Sequence, residues 1–119
     1  DHPLRYLRSS LSARGVGSVA DMTVLEPGRR VWVAGIVTHR QRPATAMGVT
    51  FMNLEDETGL VNVVCSVGLW KRHRVMLRES GALIIRGLLQ RSPENVVSIV
   101  ADGAERLALG IPDTARNFR

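Results

Sequence analysis

GVTFMNLEDETGLVNVVC, residues 48–65, is the stretch that decides the fold. Two runs that alternate between apolar and polar residues flank an acidic turn, Glu55-Asp56-Glu57-Thr58-Gly59. Period-two alternation marks a strand buried on one face only, so the stretch reads as a hairpin of strands 49–56 and 60–66. Thr50, Met52 and Leu54 on the first strand, with Val61, Val63 and Cys65 on the second, form the face to be buried. The other face carries Val49, Phe51, Asn53, Glu55, Leu60, Asn62 and Val64. Phe51, one of two phenylalanines in the chain, therefore points away from the core.

Working outward, residues 31–38 (VWVAGIVT) form a long strand with Gly35 in its middle, where glycine commonly marks a bulge or sharp bend. The segment 39–47, with Arg40, Arg42 and Pro43, is a loop too short and broken for a helix. After the hairpin, residues 67–80 return to helical spacing: Ser66 is placed to cap, and Leu69, Trp70, His73, Met76 and Leu77 make an apolar stripe. Lys71, Arg74 and Arg78 line another side of that helix and read as a solvated face. Strands 82–90 and 96–101 follow, joined by the turn Ser92-Pro93-Glu94-Asn95. At the front, residues 1–17 look helical: Asp1 can cap, Pro3 suits a first turn, and Leu4, Leu7 and Leu11 recur before Gly15 and Gly17 stop the pattern. Residues 18–28 connect, with a short helical turn through Val19 and Met22.

Three strands, a helix, then two strands is the order of a five-stranded Greek-key OB-fold barrel, an all-β fold with its helix between strands three and four and here an N-terminal helical extension. The expected divisions are a lead-in at 1–28, the barrel at 29–102 and a tail at 103–119. A ferredoxin-like fold would need a helix between its first two strands, which the 39–47 loop cannot supply.

At 119 residues the chain makes one domain with a modest core. No apolar run reaches the ~18 residues of a membrane-spanning helix, and no signal-peptide pattern opens the sequence. One cysteine excludes an internal disulfide and fits a cytoplasmic protein. The net charge of +5 comes from fifteen arginines and one lysine against eleven acids. Arginine matches phosphate with a planar fork of donors and stacks on bases, which points toward nucleic acid, an acidic protein partner or plain solubility being the other readings of the charge.

The usual ligand face of an OB-fold is the outer surface of strands two and three with the loops at its ends. Phe51, Asn53 and Asn62 share that surface, giving a ring on which a base can stack beside hydrogen-bonding amides. Arg40 and Arg42 in the first loop, Arg86 facing outward on strand four and Arg91 at the last hairpin are the expected phosphate contacts. Cover by the N-terminal helix or by a partner, or a register slip of one residue, would instead hide the ring. The acidic turn is a capped turn rather than a metal site, and His2, His39 and His73 with Cys65 lack zinc-ligand spacing. Cys65 reads as a small buried hydrophobe. No catalytic constellation is present, so the segment is expected to bind rather than catalyse.

The loop and turn motifs resemble one family closely. GIVTHRQRPAT (35–45), GVTF (48–51) and LEDETG (54–59), with VNVVC (61–65), GLW (68–70), the opening His2-Pro3-Leu4 and the closing ARNFR (115–119), are similar to the C-terminal OB domain of bacterial error-prone DNA polymerases, C-family homologues of the DNA polymerase III alpha subunit. The resemblance implies a module that binds single-stranded DNA in damage-induced translesion synthesis. Its implied partners are a Y-family-like adaptor that binds the sliding clamp and a small RecA-like accessory protein. It implies no cofactor here, since magnesium belongs with palm-domain carboxylates this segment lacks. A docking role using the same surface, or Trp32 and the basic helix, is the alternative; an apolar patch of Trp32, Ile36 and Val64 would favour it. A weaker resemblance is to the anticodon-binding OB domain of class II aminoacyl-tRNA synthetases, where Phe51 and Asn62 occupy the stacking and reading positions, with Asn62 where glutamine is usual.

Overall fold

The computed structural model describes residues 2–109, so the capping role expected of Asp1 and the ARNFR motif lie outside the described residues. Five strands, β1 (Arg30–Gln41), β2 (Thr50–Asp56), β3 (Gly59–Cys65), β4 (Ala82–Arg91) and β5 (Val97–Arg106), close into a barrel in the order β1-β2-β3-β5-β4. β1 completes the ring by pairing with β4, and the β3–β5 pair alone is parallel.

The alternation in the opening stretch is realised residue for residue. Thr50, Met52, Leu54, Val61, Val63 and Cys65 are buried, and Phe51 stands opposite Val64 on the outer face. These side chains meet Val33, Leu83, Ile85, Leu89 and Ile99 inside the barrel. Burial pushes the Cys65 thiol up to about 11, so it stays protonated and unreactive at neutral pH.

Gly35 does another job than the expected bulge. A Cβ there would meet the backbone N and O of Glu55 and the Leu54 Cβ at 2.9 Å, so glycine permits close approach of β2. At this point β1 hands over between partners: its residues through Ile36 pair with β4, and those from Ile36 onward pair with β2. The bulge itself lies between Val37 and His39. One strand can thus serve both sides of the barrel.

The N-terminal segment is shorter than the helical reading of 1–17. A 3₁₀ turn at Pro3–Leu7, capped by the His2 ring accepting from the Leu4 N–H, leads into α1 (Arg8–Ala13). Its leucines pack outside the barrel: Leu4, Leu11 and Val16 cover Ala34, Ala82, Ile84 and Leu107 in a second small core. α2 (Val19–Met22) is the expected short turn, with Ser18 and Asp21 forming a reciprocal capping box.

Ser66 caps as expected, but the helix read over 67–80 is two: α3 (Val67–Arg72) and α4 (Arg74–Glu79), broken at His73. Leu69 and Leu77 from the two pieces plug the barrel end. β5 also runs past the expected barrel boundary at 102, because residues through Arg106 continue to pair with β4 across a bulge at Arg86/Gly87. Helix periodicity could not reveal the break, and a run with Gly103 and two charges hides a strand whose pairing is supplied by its neighbour.

Candidate nucleic-acid interface

The outer face of β2, β3, β5 and the end of β4 carries two cross-strand rows. In one, Asn53 stands opposite Asn62, Asn62 beside Ser98, and Ser98 opposite Gln90. In the next, Phe51, Val64, Val100 and Leu88 follow one another across the same four strands. Their inward neighbours Met52, Val63, Ile99 and Leu89 are buried, which fixes the outward direction of both rows. A groove of about 700 Å³ lies over this surface, lined also by Pro27, Gly28, Arg91 and Val96. Phe51 keeps 40% of its surface exposed there, and Leu88 keeps 37%.

Such a surface offers flat apolar contact beside groups that both donate and accept, the chemistry that holds unpaired bases. The N-terminal helix does not cover it, because that helix lies on Ala34, Ala82 and Ile84.

The arginines are corrected more heavily. Arg40 lies on β1, and its guanidinium donates to the carbonyls of Leu77 at 2.7 Å and Ser80 at 2.5 Å, closing the end of α4. Burial pushes its pKa below the ordinary value without discharging it. It is a structural clamp, not a groove residue. Arg86 pairs with Asp102 at 2.6 Å and lies 5.6 Å over the Trp32 ring, outside the groove. Arg91 lines the groove, but its terminal nitrogen donates to the Met22, Thr23 and Leu25 carbonyls after α2. Arg42 follows Gln41, the β1 partner of Phe51, but its guanidinium donates to the buried Thr50 Oγ1 at 3.2 Å and lies 5.2 Å from the centre of the Trp70 ring, off the groove. Of the seven expected residues, then, Phe51, Asn53 and Asn62 share the face, Arg91 borders it, and Arg40, Arg42 and Arg86 lie elsewhere. Sequence reading placed Val64 on this outer face without giving it a part in base contact, and missed Leu88, Gln90 and Ser98. Alternation around the buried Leu89 and Ile99 was the available signal.

The acidic turn proves structural. Asp56 is buried and accepts from the Val19 N–H at 2.8 Å and from Thr58 and Gly59, while Arg8 reaches both Asp56 and Glu57. Among the described residues no group of three His, Cys, Asp or Glu could hold a metal ion, and no helix is long and apolar enough to cross a membrane.

Residues 31–107 match the family described as OB-fold nucleic acid binding domain. The chain belongs to that family. It is also 52% identical over all its 119 residues to the error-prone DNA polymerase of Cutibacterium acnes, and 50% identical over 118 residues to that of Nocardia farcinica. The Mycobacterium tuberculosis H37Rv enzyme is 48% identical over 118 residues. The chain spans only 10%, 10% and 11% of the lengths of these relatives, covering 100%, 99% and 99% of itself, so it is similar to one domain of a much longer protein. Among solved structures, the OB-fold is shared with asparaginyl-tRNA synthetase from Pyrococcus horikoshii: TM-score 0.62, 17% identity, 75% of this chain and 22% of that one. An OBody bound to hen egg-white lysozyme shares it too, at TM-score 0.56 and 22% identity over 73% of this chain and 89% of the other.

Proposed function

We propose that this OB domain binds single-stranded DNA in the β2–β3–β5–β4 groove, as a non-catalytic module of an error-prone polymerase in translesion repair synthesis. The observation that carries the reading is the half-exposed Phe51 ring, set in an apolar row beside a row of amides and hydroxyl on a barrel whose core does not need it. Likeness to error-prone polymerases supports DNA as the nucleic acid, and polymerase chemistry with its magnesium would reside elsewhere in the longer protein. On this reading the domain works in the cytoplasm, with a Y-family-like adaptor and a RecA-like accessory protein as its proposed partners.

Because few groove cations are free, the groove should take bases more than phosphates. Phe51→Ala is expected to weaken binding of a single-stranded DNA oligomer by about 1–3 kcal/mol while leaving the dependence of log affinity on log salt nearly unchanged. An unchanged affinity in the folded variant would transfer the ring to a protein contact. Tighter binding of the matching RNA oligomer would favour an anticodon-type role instead. The apolar patch expected of a docking module is not assembled: Ile36 packs under the N-terminal leucines, Val64 lies in the groove, and Trp32 lies under Arg86.

A further inference from the structure

Among the described residues, Arg29, next to the groove-lining Gly28, is exposed and holds no side-chain bond or ion pair, and the rest of the unengaged positive charge gathers away from the groove. Arg40 and Arg91 are spent on carbonyls, Arg30 and Arg86 on Asp102, and Arg8 on the acidic turn. Lys71, Arg72 and Arg74 are exposed and hold no hydrogen bond or ion pair among the described residues. They sit where α3 gives way to α4, around a hollow of about 460 Å³ shared with His73, Val75 and Met76. All three flank the break at His73 and are open to solvent. Three like charges within four residues, with no counter-charge, repel one another, and an arriving polyanion removes that cost.

The elbow also adjoins the groove. Outward residues on β4 follow one another as Gln90, Leu88 and Arg86, at steps of about 7 Å for two residues of strand. The first two belong to the groove rows; the third lies in a hollow of about 390 Å³ that Arg72 and His73 enter from the elbow. The acids of this hollow are already taken, Asp102 by Arg30 and Arg86 and Glu105 by Arg14. A strand running past the Phe51–Leu88 row is thus carried toward unpaired cations.

We propose that the α3–α4 elbow is a second nucleic-acid contact, in which Lys71, Arg72 and Arg74 take the phosphates of the segment that leaves the groove. The proposal rests on the groove reading above, and a length series separates the two. Anisotropy titrations of the 119-residue protein use oligothymidylates of about 6 nucleotides, near the lower end of OB-fold site sizes, and about 20, beyond their upper end of about 16. The K71Q/R72Q/R74Q variant should lower the log–log salt slope for the longer oligomer by about 2, from about 0.7 per phosphate released, and leave the shorter one bound as in wild type. K71R/R72K/R74K should keep the wild-type slope. Should the triple glutamine variant not fold, Arg72→Gln alone should lower the slope by about 0.7.

A wild-type slope with the longer oligomer, in a variant of unchanged circular dichroism and thermal midpoint, overturns the proposal and leaves the groove reading standing. Equal losses for both lengths also overturn it, because the elbow would then not lie beyond the groove. If Phe51→Ala leaves both oligomers unaffected, it is the groove reading that fails.

Discussion

The barrel has two apolar outer surfaces, and β4 contributes to both. At its start, Ala82 and Ile84 lie beneath Leu4 and Leu11, fully buried. At its end, Leu88 and its neighbours Val64 and Phe51 lie open to solvent. Outward-facing apolar residues look alike in both places along the sequence. What separates them is a cover: one surface is closed by the chain's own N-terminal segment, and the other has none among the described residues. An exposed apolar row gains meaning only once the rest of the chain has been given its chance to cover it.

The sharpest way to break the contrast is at the tether of the cover. Asp56→Ala would strip a buried carboxylate from Arg8 and from the N–H groups of Val19, Thr58 and Gly59. The expected loss is about 3–5 kcal/mol of folding free energy, read by urea denaturation. Leu11→Ala, beneath the cover itself, should cost about 2–5 kcal/mol and leave DNA affinity alone. Phe51→Ala should do the reverse: stability within about 0.5 kcal/mol of wild type, as for a surface position, with the loss appearing in binding. Equal stability losses at Leu11 and Phe51 would erase the distinction between the surfaces.

The smallest effect concerns pH. The Arg8 hydrogen bond holds the Glu57 carboxyl below its ordinary value. A depressed carboxylate stabilises the fold above its unfolded pKa, and that contribution disappears as pH falls through the folded value. The stability gap between wild type and Arg8→Gln should therefore be constant well above the ordinary glutamate value of about 4.3 and narrow as pH falls through that value and the lower folded one. A gap independent of pH would mean that Arg8 acts through packing alone.

The inward face and hairpin register were legible in residues 48–65 because alternation is a local consequence of one-sided burial, and the strand order in the switches of period along the rest of the chain. Gly35 was legible as special but not in its reason, since the atoms it makes room for belong to Leu54 and Glu55. The arginines were least legible. Arg40 and Arg91 answer to carbonyls at the ends of α4 and α2, and no sequence spacing announces a partner brought close only by tertiary folding. Lys71 and Arg74, read as a solvated face, remained unpaired, which gives them their place in the elbow proposal.

The parallel pairing of β3 with β5 bears on the order of assembly. β1, β2 and β3 can zip as a meander through near neighbours, but Asn62 meets Ser98 only after α3, α4 and β4 have been traversed. Loop-closure entropy is met before such distant contacts return anything, so closure of the ring should govern the refolding rate. Lengthening the elbow at His73 should slow refolding in stopped-flow experiments, whereas changes in the tight β2–β3 turn should act chiefly on unfolding; the opposite pattern would place the hairpin in the rate-limiting step. The same bend that offers cations to a ligand would then also be the hinge on which the barrel shuts.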